Sequence, residues 1–317
     1  MRTTIQFGEL HTLLADGIET AREHRQRILV SMAQQVDRHD PITFFSSGKA
    51  YSGERTFWSD PTKELTLVGI GSALTFETEE AEDRFQYIER EWEQLLKNSI
   101  IKCAENVPAS GPALIGGFSF DPYKRKTALW ESYPAAKMTL PKYLLTIYRG
   151  KTYLTVNRVV ADSDDAISLA HRLIEEQTKL CQSTSLPELT TATFQKEEIN
   201  PQAWLKSVEK ATADIQNNEL EKIVLARELR IFSNETFSPE TILLRLQKEQ
   251  PFSYLFAFES GNDCFIGASP ERLIKQIGEK LYFTCLAGSI KRGENEQTDE
   301  QLGSMLLNDR KNLHEHK

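Results

Sequence analysis

Three stretches of this chain carry side chains of types that do chemistry. In Gly267-Ala268-Ser269-Pro270-Glu271 an apolar run ends in small residues and a proline, and Glu271 is the first long polar side chain after it. Small residues let something approach the backbone, and proline keeps it extended. A second apolar run ends in Ala287-Gly288-Ser289, so two such ends, one bearing a carboxylate, read as a pocket wall. Isolated strand glycines also mark simple turns and bulges, in which case Glu271 is only solvated; the pattern leaves both readings open. Lys222 heads the apolar run Ile223-Val224-Leu225-Ala226, where a lysine is ordinarily a solvated charge. The third stretch is His314-Glu315-His316. Zinc sites on helices use residues at i and i+4, whereas i and i+2 diverge by about two hundred degrees, so zinc is rejected. Glu315 suits a hard, oxygen-seeking ion such as Mg²⁺.

These residues need strands and helices to hold them. Tyr254 to Phe258 and Cys264 to Ile266, separated by Gly261-Asn262-Asp263, predict a hairpin ahead of Glu271. A third strand over Leu281 to Leu286, after a turn at Gly278, would lie beside it. Glu221 to Glu228 reads as a strand with Lys222 at its entrance. It follows a helix begun by Asn200-Pro201, with Trp204, Val208, Ala211 and Ile215 on its apolar stripe. Ser238-Pro239 opens another helix. Thr298-Asp299-Glu300-Gln301 reads as a capping box starting the helix that runs on to His316. The first part reads as a scaffold. It has helices over Leu10 to Arg27, Glu79 to Lys102 and Ala166 to Leu180. Strands are expected over Arg27 to Met32, Leu65 to Gly71, Leu114 to Phe120, Tyr143 to Tyr148 and Lys151 to Asn157, with irregular chain around Pro41 to Phe45 and Phe57 to Pro61. A polar stretch over 180–198 divides a scaffold half, 1–185, from 199–317, although both could belong to one domain.

Composition narrows the classes. The 317 residues carry a net charge of −8 with a pI near 5.5, which argues against a general nucleic-acid binder. No apolar run reaches membrane-spanning length and no signal peptide is seen, so a cytoplasmic protein without a membrane partner is expected. Cys103, Cys181, Cys264 and Cys285 have no CxxC spacing and read as buried thiols. Oligomeric state is not legible.

Taken together, Lys222-Ile-Val-Leu-Ala-Arg227, Gly267-Ala-Ser-Pro-Glu271, Leu286-Ala-Gly-Ser289 with Arg292-Gly293, and His314-Glu-His316 resemble, in order, the motifs of chorismate-utilising enzymes. Lysine at 222, where nitrogen-adding members have glutamine, is similar to the isochorismate and salicylate synthases. Phe57-Trp-Ser-Asp-Pro61, Gly116-Gly-Phe-Ser-Phe-Asp-Pro122 and Leu154-Thr-Val-Asn-Arg158 are similar to isochorismate synthases of the menaquinone pathway. The resemblance implies an α+β fold like that of anthranilate synthase component I, with two packed, largely antiparallel sheets and outer helices. It implies Mg²⁺-dependent conversion of chorismate to isochorismate, with water added at C2 and the C4 hydroxyl lost. Lys222 is then the general base, Glu271 the general acid, Gly288 a point of close substrate approach and Glu315 a metal ligand. Lysine is protonated and glutamate ionised in neutral water, so such a site must favour the opposite states, by desolvation or like-charged neighbours. The family continues past His-Glu-His, into a segment bearing a second metal-binding glutamate and carboxylate-binding groups. That departure implies a copy incomplete at its C-terminus, and inactive alone. A salicylate synthase, a siderophore-pathway isochorismate synthase and an inactive chorismate-binding fragment are the alternatives.

Overall fold

The computed structural model describes residues 4–182, 193–283, 289–309 and 313. The chain opens with helix α1 (Phe7–His24), strand β1 (Ile28–Val36) and a short helix α2 (Pro41–Ser47). The last replaces the irregular chain expected there. Asp40 caps it by accepting the Thr43 N–H at 2.8 Å, and Pro41 occupies a position whose N–H has no helical partner anyway. Strands β2 (Arg55–Ser59) and β3 (Leu65–Thr78) follow, then helix α3 (Arg84–Leu96) and strands β4 (Ile100–Lys102) and β5 (Ile115–Phe118). Strand β2 corrects the irregular chain expected from Phe57. Helix α3 and β4 together take the place of the single helix expected over 79–102. A hairpin of β6 (Ala136–Tyr148) and β7 (Lys151–Val160) turns at Arg149-Gly150, and helix α4 (Ala166–Cys181) completes the first part. Strand β8 (Phe194–Glu198), helix α5 (Pro201–Gln216), strand β9 (Leu229–Ser233) and helix α6 (Pro239–Glu249) come next. The last elements are strands β10 (Tyr254–Ser260), β11 (Asp263–Ser269), β12 (Lys275–Ile277) and β13 (Lys280–Tyr282), and helix α7 (Glu296–Asn308).

The result is a mixed α+β fold with several sheets. The large sheet has nine strands in the order β11-β10-β2-β3-β6-β7-β1-β4, with β5 added on β6. All its pairs are antiparallel except β1 with β4. One face is covered by α1, α2 and α4, where Leu10, Leu14, Ile18, Phe45, Leu169 and Leu173 meet Val30, Met32, Val68, Ile70, Tyr143 and Leu154. Strand alternation puts Trp58, Leu67 and Phe256, which are register partners across β2, β3 and β10, on the opposite face. There α3 sets Ile88 against Phe76 and Ala136, with Trp92 and Leu95 beside them. Phe85 of the same helix stays outside this cluster, its ring tilted against that of Phe118 with centres 4.5 Å apart. Midway along β3 the ladder with β6 slips between Ser72 and Leu74. Pro141, partner of Ser72, has no N–H to give, and Gly71 takes φ +66° as the strand bulges past it.

The chain divides into two compact units, Met1–Leu186 with Leu243–Lys317, and Pro187–Ile242. In the smaller unit β8 pairs antiparallel with β9, and α5 starts at Pro201 as expected. Asn200, however, lies at φ 49° and makes no side-chain cap. Residues 222–228 are not a strand, which corrects the element expected to present Lys222. Ala226 and Arg227 remain exposed, and pairing begins only at Leu229. The third strand of the later region is also corrected. Gly278 turns with φ 57° as expected, but among the described residues β13 pairs with β12 alone, in a separate two-stranded sheet. At α7 the cap is Asn295, whose side chain accepts from Thr298 N–H while the Thr298 hydroxyl accepts from Asn295 N–H. The capping-box residue Thr298 therefore closes the first turn rather than opening it. Of the cysteines, Cys103 is exposed while Cys181 and Cys264 are half-buried, and Cys285 lies outside the described residues. Burial pushes the Cys181 thiol up to about 11.

Candidate active site

Glu271 follows directly on β11, as the hairpin reading requires. Strands β10 and β11 pair from Tyr254↔Ser269 to Ser260↔Asp263 around Gly261, which takes φ 59°. The hairpin is anchored to the first part of the chain from both sides. Strand β10 pairs with β2, and the buried Glu259 carboxylate binds Arg55 twice, at 2.9 Å to Nε and 2.5 Å to Nη2. Glu259 also accepts the Gly53 N–H at 2.9 Å, and Arg55 Nη1 donates to the Phe45 carbonyl at 3.0 Å. On the other side, residues 132–137 lace onto the hairpin. Tyr133 donates its hydroxyl to the Phe258 carbonyl and accepts the Phe265 N–H, each at 2.8 Å; burial pushes this phenol up to about 12. Lys137 donates to Ser260 at 2.8 Å.

Gly267 has a packing role that the pocket-wall reading missed. It sits opposite Phe256, and a Cβ there would meet Phe256 Cζ at 2.7 Å. The aromatic ring, and not open space, occupies the glycine's missing side chain. At Gly116 the reason for glycine is sterner: a Cβ would lie 2.0 Å from the Lys137 carbonyl oxygen, so any side chain breaks the pairing of β5 with β6. Gly117 has nothing within 4 Å.

The expected residues are distributed as follows. Glu271 is exposed and belongs to the larger unit; Lys222 is exposed and belongs to the smaller one. The desolvation expected around both is not present at either. Beyond Lys222, Arg227 lies 5.5 Å from the Trp204 ring centre and 3.8 Å from the Glu198 carboxylate, while Glu228 accepts the Ile199 N–H at 3.1 Å. Gly288 and Glu315 lie outside the described residues. Among the described residues no three His, Cys, Asp or Glu side chains are grouped to hold a metal ion, so the structure supplies no test of Mg²⁺ at Glu315. Arg292 and Gly293, quoted above only as a motif, both bind Asp299: the guanidinium at 2.8 and 2.5 Å, the Gly293 N–H at 2.8 Å. That pair, with the Arg292 charge, holds the Asp299 carboxyl below its ordinary range.

Next to the hairpin, the open face of the large sheet forms an apolar groove of about 480 Å³. Trp58, Leu67, Met138, Phe256, Phe258 and Phe265 line it. Sequence reading missed the groove, because its residues come from strands up to two hundred positions apart. It also missed the hydrogen bond of Arg272, next to Glu271 in the chain, to Tyr254, which carries no spacing signal.

The mixed α+β fold with its large, mostly antiparallel sheet is shared with solved isochorismate synthases. The structure superimposes on the menaquinone-specific isochorismate synthase MenF of Escherichia coli with a TM-score of 0.67 at 20% identity. The match covers 95% of this chain and 66% of that one. In sequence, the chain is 38% identical to the isochorismate synthase MenF of Bacillus subtilis, over all of this chain and 68% of that protein. It is 30% identical to the salicylate biosynthesis isochorismate synthase of Pseudomonas aeruginosa, over 91% of this chain and 60% of that protein. The chorismate binding enzyme model matches residues 16–317, and the chain belongs to that family. It spans about two thirds of the length of the curated relatives it matches.

Proposed function

We propose that this chain belongs to an isochorismate synthase that converts chorismate to isochorismate for menaquinone biosynthesis. The observation that carries the reading is the 38% identity along the whole chain to an isochorismate synthase, with lysine at position 222. Glutamine at that position would have favoured an amine-adding relative.

The reaction moves a hydroxyl by exchange with water. Lys222, unprotonated, takes a proton from water as the oxygen bonds to C2 of the ring. The double bonds shift, and Glu271, protonated, gives its proton to the C4 hydroxyl, which leaves as water. One water enters and one departs, so the product is an isomer. A direct ion pair between the two side chains would lock both in the wrong state, so the reaction needs them unpaired with each other. Gly288, having no side chain, lets the ring come close to the backbone. Mg²⁺ on Glu315 is carried over from the family, and when bound would neutralise the ring carboxylate. A cytoplasmic site of action fits a chain in which no described helix is long and apolar enough to cross a membrane.

The exposed positions of Lys222 and Glu271 favour one second reading, a chorismate-binding piece that does not turn over by itself. Incubation with chorismate and Mg²⁺, followed by chromatography of the products, separates the cases. From a family-length protein carrying this chain, isochorismate without pyruvate is expected. Pyruvate release would indicate a salicylate synthase, and chorismate bound but unchanged would indicate the non-catalytic piece.

A further inference from the structure

Glu271 leaves the sheet through a turn whose two flanks are both tied down. On one flank, the Ser269 hydroxyl accepts the Glu271 N–H at 3.3 Å and donates to the Glu271 carbonyl at 3.1 Å. Pro270 between them fixes its own φ and limits its neighbour. On the other flank, Arg272 is half-buried, with Nη1 donating to the Tyr254 hydroxyl at 3.1 Å and the guanidinium 6.0 Å from the Tyr254 ring centre. Tyr254 is the ladder partner of Ser269 and packs on Trp58 of β2, ring centres 5.8 Å apart. Contacts therefore run from β2 through β10 to Ser269 and Arg272, on either side of Glu271. Arg272 Nε is enclosed with no hydrogen-bond partner among the described residues, an expense that a purely solvated arginine would avoid. A planar guanidinium laid along a tyrosine holds backbone direction better than a flexible amine would.

We propose that Arg272, acting through Tyr254, is a positioning residue that sets the direction in which the Glu271 carboxyl leaves β11. The inference rests on the acid role given to Glu271 above. Tyr254→Phe removes only the accepting hydroxyl, and Arg272→Met keeps the stem while removing the guanidinium. With the full chain, chorismate and Mg²⁺, each should lower kcat about tenfold, since small misplacements of a reacting group are costly, with KM and the thermal midpoint little changed. The double variant should be no worse than either single one, because both remove the same contact. A kcat within about twofold of the unmutated chain in both, or a loss matched by a lower midpoint, would overturn the proposal. Glu271→Gln run alongside tells the two claims apart. If it abolishes turnover while Tyr254→Phe keeps kcat within about twofold, only the positioning role fails; if it turns over normally, the acid role itself fails. Amide hydrogen exchange over 269–273 gives a readout that needs no turnover. Faster exchange at Glu271 in Tyr254→Phe is expected, and unchanged exchange would overturn the proposal.

Discussion

Glu271 and Glu315 are assigned different work, and a magnesium titration separates them. Glu271→Gln keeps size and hydrogen bonding but delivers no ionisable proton, so kcat should fall while the magnesium requirement stays the same. Glu315→Gln should weaken the apparent magnesium affinity strongly. Identical responses of the two variants would contradict the division. A third carboxylate, Glu176 on α4, was not visible in the sequence as anything but a helix surface residue. It accepts hydrogen bonds from the Tyr143 hydroxyl at 2.6 Å, the Tyr51 hydroxyl at 2.9 Å and the Lys142 amine. Burial pushes its carboxyl up, but these three donors together outweigh burial and hold it below the ordinary range. Because the folded value is depressed, Glu176 stabilises the fold above the unfolded carboxylate range and loses that contribution as pH falls below about 4. Burial and the Glu176 contact push both phenols up, which adds a matching loss at strongly alkaline pH. Glu176→Ala should cost about 2 kcal/mol at neutral pH and nearly nothing in acid. Urea melts at pH 7 and pH 3 check it, and equal losses at both would contradict the assignment.

Elements set by neighbours in sequence were legible; those set by distant partners were not. The β10–β11 hairpin follows from Gly261-Asn262 between apolar runs, and the β6–β7 hairpin from Arg149-Gly150. Helices α4 and α6 follow from their periodicity and from Ser238-Pro239. The run Ile223-Val224-Leu225-Ala226 has strand composition, yet no neighbouring strand pairs with it among the described residues, and composition without a partner makes no ladder. The pairing of β10 with β2 spans some two hundred residues and had no local signal, although it fixes the hairpin that leads to Glu271. Its clasp is the Arg55–Glu259 pair, whose side chains are 3% and 5% exposed. Glu259→Ala strands a buried guanidinium and should cost about 3 kcal/mol or more. Arg55→Met combined with Glu259→Leu should cost less than the sum of the single changes, as buried pairs repay little beyond their own desolvation. Chemical denaturation of the three variants measures this, and strict additivity would contradict it.

Across the whole molecule, apolar residues are unevenly covered. One face of the large sheet is sealed by α1, α2 and α4, while the other leaves the groove of Trp58, Phe256, Phe258 and Phe265 open. Phe120, Leu273, Phe283 and Met305 are each more than half exposed as well. Soluble monomers rarely present apolar patches beyond a few hundred Å². The chain should therefore bind an apolar fluorescent dye such as ANS while natively folded, and associate as its concentration rises. Phe258→Ser should reduce dye binding with little change in the thermal midpoint. Absence of dye fluorescence at any concentration would contradict an open groove. The hairpin before Glu271 was thus readable from pattern and the α+β class from the family resemblance, whereas the open face depends on which strands become neighbours, which only the folded chain reveals.

The most direct test of the proposed chemistry follows the oxygen. Chorismate is converted with Mg²⁺ in water enriched in heavy oxygen, and the isochorismate formed is examined by mass spectrometry. Water attack assisted by Lys222 predicts one heavy oxygen at C2, and Lys222→Ala should lose turnover while largely keeping chorismate binding. Unlabelled oxygen at C2 would mean that the hydroxyl migrates within the substrate, and would leave Lys222 with no water to activate.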